Sequence, residues 1–218
     1  MSWLERWWPR PAQGRAGDST RWVVLDVESS GLNPQQDRLL AIAAVAVHTD
    51  GDKPFISLAD SFEVVIRQPA ASASPDRQNI LLHGIGVGAQ SAGLERSAAL
   101  DALTGFVADS GLVAFHAAFD RTLIERAFRA QGLPVLRNPW LDLEPLAGVL
   151  RPDVKARSLD EWMLALGVTC AVRHQAAADT LATAELLLKL WPALRAEFPR
   201  PSFRSALGLA EQRRWLAP

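Results

Sequence analysis

A chain of 218 residues that is 49% apolar and 22% charged has the length of one domain with short appendages. It can bury a sizeable core, which excludes a disordered chain. No apolar run is long enough for a membrane span, and the single cysteine, Cys170, excludes an internal disulfide and a cysteine-rich zinc site. A net charge of -1 excludes a strongly basic nucleic-acid coat.

The charge is unevenly spread. Residues 22–188 carry 20 Asp and Glu against 13 Lys and Arg, a net of -7, so both ends of the chain are basic. An acidic body suits divalent metals, and basic ends can touch a phosphate backbone or simply solvate the surface.

Residues 1–21 read as a basic, Trp-rich appendage. Trp3, Leu4, Trp7 and Trp8 recur at helical spacing until Pro9 and Pro11 stop the pattern. The opening MSWLERWWPRP has no long apolar stretch and no small-residue cleavage site, so no secretory signal is expected and the location is read as cytoplasmic. The tryptophans suggest packing on the body, on a second copy in a homodimer, or on a larger replication or repair protein.

WVVLDV (22–27) reads as a buried strand ending in a carboxylate, and LLAIAAVAV (39–47) as a second strand. A hairpin turn around Asp50-Gly51 leads to a third, FEVVI (62–66), which makes an antiparallel start. His48 is assigned to the surface of that turn. Residues 67–79 look irregular. Helical patterns at 94–108 and 120–131 flank a short strand, LVAF (112–115), expected parallel to the first. A short element near Trp140 to Leu143 precedes helices at 143–150, 158–166 and 176–190, with a last helix at 203–215. A meander followed by alternating strands and helices predicts an α/β fold with a mixed sheet. The body is taken as 22–192 and the basic C-terminal extension as 193–218.

Asp26 and Glu28 stand two apart at the end of the first strand, so both side chains share one face. Two close carboxylates repel, and a divalent cation between them is the simplest remedy. Gly31 and Pro34 make a turn just behind them, at the kind of strand end where open α/β sheets bind ligands. Asp120 begins a helix, where a first-turn acid needs no further explanation. Asp179 lies in the first or second turn of an alanine-rich helix, just after His174. A buried Asp there is costly unless paired. Four carboxylates form an all-oxygen set, better suited to magnesium or manganese than to zinc.

These segments together resemble the DnaQ-like, or DEDDh, 3′–5′ exonucleases, including the proofreading exonucleases of the DNA polymerase III epsilon type. VVLDVESSGLNP (23–34) carries the family's Asp-x-Glu as Asp26 and Glu28, with Gly31-Leu32 in the turn behind. LVAFHAAFDRTLIERAF (112–128) carries its second-motif acid as Asp120. RHQAAADTLATAELLLKL (173–190) carries His174 and Asp179 five apart, as the family does. LLHGIGV (81–87) is similar to the segment that closes over the terminal nucleotide. The departures are Ser29 and Ser30 for two threonines, Ala41 for a glutamate, Phe115-His116 for His-Asn, and Gly86 for a threonine.

The resemblance implies a ribonuclease H-like fold: a mixed five-stranded sheet flanked by helices. It implies a two-metal exonuclease using Mg²⁺ or Mn²⁺, with Asp26, Glu28, Asp120 and Asp179 as ligands and His174 as general base. The substrate would be single-stranded or 3′-ended DNA, cut to nucleoside 5′-monophosphates in proofreading or repair. Leu32 would wedge the terminal base, Ser29 and His83 would hold the 3′-hydroxyl region, and His116 would reach a phosphate or cap the Asp120 helix. Phe115 is assigned to the core. Arg173 either meets substrate phosphate or pairs with a nearby acid. Two alternatives stand beside this reading: an exoribonuclease or oligoribonuclease of the same fold, and a non-catalytic nucleic-acid-binding or assembly subunit. No membrane partner is expected.

Overall fold

The computed structural model describes residues 19–50, 53–69 and 77–216. The Trp-rich segment up to residue 18, the hairpin tip at 51–52 and most of the Pro/Ser/Ala-rich stretch lie outside the described residues. The sheet has the order β3-β2-β1-β4-β5. Its strands are β1 (Arg21–Ser29), β2 (Leu39–His48), β3 (Phe55–Val65), β4 (Gly111–Ala114) and β5 (Trp140–Asp142). The first three form the expected antiparallel meander, while β4 runs parallel to β1 and β5 parallel to β4.

The helices are α1 (Arg77–His83), α2 (Val87–Ala92), α3 (Arg96–Val107), α4 (Ala118–Ala130), α5 (Leu143–Leu150), α6 (Leu159–Leu166), α7 (Ala176–Glu197) and α8 (Phe203–Leu216). No helix among the described residues is long and apolar enough to cross a membrane.

Period-two alternation along β1 sorts its side chains between two cores. Val23, Leu25 and Val27 pack with α3 and α4, whereas Trp22 and Val24 pack with α5, α6, α7 and α8. Asp26 and Glu28 continue the Trp22–Val24 face, so the strand hands both carboxylates to the side that α7 covers. Gly111 lets α8 lie against β4, because a Cβ there would sit 2.3 Å from the Phe203 ring. Phe203 and Trp191 meet the Trp22 ring edge-on, at centroid distances of 5.1 and 5.3 Å.

Three elements differ from the sequence expectation. β3 begins at Phe55 rather than residue 62, because a register shift at Val45/Ala46 realigns a second run, Phe55–Ser57, with β2. Helix α1 begins at Arg77, inside the stretch read as irregular, and the short α2 follows it. Helix α7 passes through Pro192 to Glu197, and burial of Trp191 and Leu194 on either side of the proline holds that last segment in place.

Candidate active site

The strand ends converge on one cleft of about 380 Å³, lined by Asp26, Glu28, Ser29, Gly31, Leu32, Leu82, Phe115, His116, Phe119, Asp120, Ser158, Arg173, His174 and Asp179 among others. The four acids and the histidine singled out in the sequence therefore come together, although 153 positions separate the first from the last.

Each is positioned by a local device. At Glu28/Ser29 the β1–β2 register shifts, and the bulge ends regular pairing just where the carboxylates emerge. Ala41 pairs directly opposite Glu28. The turn beyond is tied by serine hydroxyls. Ser29 Oγ donates to the Gly31 carbonyl at 2.5 Å, and Ser30 Oγ donates to Asp37 Oδ1 at 3.0 Å. Gly31 is needed there because a Cβ would lie 2.6 Å from Asp37 Oδ2. Arg126 from α4 donates to the carbonyls of Pro34 and Asp37, pinning the loop that holds Leu32 out at 90% exposure.

Asp120 sits in the first turn of α4 and is 3% exposed. Asp179, also buried, lies in the first turn of α7, and Thr180 beside it donates to the Ala43 carbonyl, fastening the helix to β2. Asp179 Oδ2 accepts the His174 N–H at 3.0 Å, and Oδ1 accepts from Arg173 Nη1. His174 is exposed at the mouth. It and His116 both carry positive φ, 61° and 59°, where a non-glycine residue is strained; backbone strain of this kind concentrates at functional sites.

The electrostatics are those of an under-neutralised carboxylate cluster. Burial pushes Asp26 well above the carboxylate range, and the charges of Asp120, Glu28 and Asp179 push it further, with Arg173 opposing. Burial raises Glu28 to about 8, reinforced by Asp179 and opposed by Arg173 and by a hydrogen bond from the Ala176 backbone. Burial raises Asp120 to about 8 as well, against backbone hydrogen bonds at Asp120 and Val27. Among the described residues no three His, Cys, Asp or Glu side chains are already set to hold a metal ion. The donor set nevertheless fits a hard divalent cation: four carboxylates, no soft ligand among the acids, and negative charge that the protein compensates with one arginine.

The remaining candidate residues are placed as follows by the fold. His83 is buried, and its Nδ1 accepts the Ile85 N–H at 3.0 Å, while its ring is not among the groups lining the cleft. His116 does line the cleft, but what it anchors is backbone: its N–H donates to Asp142 Oδ1 at 3.0 Å. Phe115, assigned to the core, does pack against it and is half-buried, and it also reaches the cleft wall beside the His116 ring. His48 is not turn surface. It is half-buried, 3.1 Å from Asp60 Oδ2, and stacked on Phe55. Leu82 and Phe119 were not singled out from sequence. Leu82 adjoins His83 and Phe119 adjoins Asp120, so proximity in sequence to the motifs was the available signal.

The fold and the order of the acids are those of the DnaQ-like, DEDDh exonucleases. The chain belongs to the RNase_T family, described as exonuclease, whose model matches residues 23–187. Among curated relatives it is 33% identical over 172 residues to the PolC-type DNA polymerase III of Clostridium perfringens, covering 76% of this chain but 11% of that protein. It is also 33% identical over 188 residues to a DNA polymerase III subunit epsilon-like protein of Rhodobacter capsulatus, covering 82% of this chain and 25% of the relative. The chain thus spans a quarter or less of these relatives. Escherichia coli exonuclease I in complex with a dT13 oligonucleotide shares the fold with a TM-score of 0.70 at 18% identity, covering 83% of this chain and 43% of that one.

Proposed function

We propose that this chain is a divalent-metal-dependent 3′–5′ exonuclease that trims DNA ends to nucleoside 5′-monophosphates, with residues 22–192 as its catalytic unit. The observation that carries the reading is the convergence of Asp26, Glu28, Asp120 and Asp179, their charge under-compensated, beneath an exposed His174. Asp26, Glu28, Asp120 and Asp179 would hold two Mg²⁺ or Mn²⁺ ions. Bound there, the cations would supply Lewis acidity, lowering the pKa of the attacking water and neutralising charge on the phosphodiester.

The rest falls to the protein. His174 accepts the water's proton at an imidazole nitrogen, histidine being the side chain most often used as a general base. Its backbone tie to Asp179 keeps the base in register with the carboxylates. Leu32 and Leu82 offer exposed apolar surface at the rim, and Phe115 and Phe119 stand in the wall, which suits a stacked terminal base. DNA is preferred over RNA because the relatives named above include DNA polymerase III proteins and an exonuclease crystallised with an oligothymidylate.

The test is a timed gel of 5′-labelled single-stranded, blunt and 3′-recessed oligomers, as DNA and as RNA, with Mg²⁺, Mn²⁺ or EDTA. A ladder shortening from the 3′ end, lost in EDTA and in His174→Ala, is the expected result. Faster cutting of RNA would move the assignment to an exoribonuclease. A folded protein that cuts nothing would move it to a binding subunit.

A further inference from the structure

Among the described residues lining the cleft, Arg173 is the only lysine or arginine, and it lies immediately before the histidine. Its guanidinium is divided between two acids. Nε donates to Asp160 Oδ1 at 2.5 Å and Nη1 donates to Asp179 Oδ1. The two partners differ: the Asp160 side chain is 61% exposed on α6, and that of Asp179 is 8% exposed within the cluster. The same two-residue segment, Arg173-His174, thereby engages both oxygens of Asp179.

We propose that Arg173 is a resident counter-cation that competes with the divalent metal for Asp179, and that Asp160 is the outer post to which it stays tethered when the metal displaces it. The proposal rests on the metal-dependent reading of the site given above. A guanidinium on Asp179 and a divalent cation on the same carboxylate repel at close range, so both cannot be held there without cost. Asp160 makes the exchange easier, because leaving Asp179 still leaves Arg173 one ion pair at the surface, where a charge is well solvated. In the metal-free protein the arginine offsets part of the repulsion among Asp26, Glu28 and Asp179. In the loaded protein the same side chain would sit beside His174 at the cleft mouth, its positive charge available to an entering phosphate. Metal affinity is therefore set lower than the four carboxylates alone would give.

The experiment is a Mn²⁺ titration read by electron paramagnetic resonance on the full chain, for wild type, Arg173→Gln, Arg173→Lys and Asp26→Asn, with thermal melts of each in EDTA. Arg173→Gln should bind Mn²⁺ about tenfold more tightly, within the usual range of coupling between two linked binding events, and should melt lower than wild type in EDTA. Arg173→Lys, which keeps the charge but cannot fork across two acids, should fall between them. If Arg173→Gln does not fold in EDTA, Mn²⁺ must restore its melt, and Arg173→Lys must still bind more tightly than wild type. Folded Arg173 variants with wild-type or weaker Mn²⁺ affinity overturn the competition. A wild type that binds no Mn²⁺, or binds it no better than Asp26→Asn, overturns the metal reading itself.

Discussion

The two ends of β1 carry charge in opposite ways. At its start, Arg21 is fully used: Nε and Nη2 donate to Asp60 at 2.7 Å each, Nη1 donates to the Phe106 carbonyl and to Ser110, and the guanidinium lies 4.7 Å from the Phe106 ring centroid. Asp60 also has His48, and its carboxyl is held below the usual range, first by the Arg21 hydrogen bonds. At the other end Asp26 and Glu28 face Asp120 and Asp179, and among the described residues the Arg173 guanidinium offsets Asp26 and Glu28 only in part. One strand thus begins in a satisfied network and ends in a frustrated one. The first arrangement stabilises the fold. The second is costly as it stands, and a divalent cation of the kind proposed above would relieve it.

The contrast is broken most severely at the acidic end. Asp26→Asn should lower exonuclease activity by about a thousandfold or more, on the order of what oriented electrostatic groups contribute to catalysis. The same variant should raise the melting temperature in EDTA, because the cost of holding Asp26 among like carboxylates, as a charge or by taking up a proton, is gone. Loss of activity with a lowered metal-free melting temperature would mean that Asp26 serves the fold instead. His174→Ala should cost about 10²–10⁴-fold in kcat, the range for a general base, while leaving Mn²⁺ affinity near that of wild type. A matching loss of Mn²⁺ affinity would make the histidine a ligand rather than a base.

The satisfied end predicts the reverse pattern. Arg21→Ala strips a half-buried carboxylate of its bidentate partner and removes the hydrogen bonds to the Phe106 carbonyl and Ser110 Oγ. It should cost about 2 kcal/mol of stability, in the range for losing a charged hydrogen-bond partner. In a domain of this size that is roughly 4–8 °C in melting temperature. Activity per folded molecule should not change. A kcat defect measured well below the melting temperature would show that the two ends of the strand communicate.

Which end was legible in the sequence follows from distance along the chain. Asp26 and Glu28 reveal themselves by period two on one strand, and Asp179 by its place at an alanine-rich helix start; His174 five residues before it was picked out by the family resemblance. Their union with Asp120 needed either the fold or the family resemblance, because no local pattern links β1, α4 and α7. The Arg21–Asp60–His48 network was not legible: its members come from three strands, and Asp60 lay in a stretch not read as strand at all. Helix α1 was hidden by its setting after the Pro/Ser/Ala-rich run. The extension of α7 through Pro192 was hidden because tertiary burial of Trp191 and Leu194 outweighs local propensity. The division of Arg173 between Asp160 and Asp179 depends on where α6 docks, which spacing alone does not reveal.

The smallest expected effect is also the one that reads the frustration directly. Glu28 has an ordinary pKa of 4.5 and a folded value of about 8. Between those values the folded chain holds a proton that the unfolded chain has released, so folding takes up protons across the window. Stability contributed by this group is then full below 4.5 and is lost as the pH rises through about 8. In EDTA the melting temperature should therefore decline across that window, and Glu28→Gln, which carries no charge to lose, should flatten the decline. The difference should be a few degrees at most, because Glu28 is only half-buried and water screens part of the repulsion. Saturating Mn²⁺ should reverse the trend: a ligand must be ionised to bind, so metal stabilisation grows as the pH rises and the carboxylates shed their protons. A wild-type decline identical to that of Glu28→Gln would assign the pH dependence to Asp26 and Asp120, the other two acids whose pKa is raised.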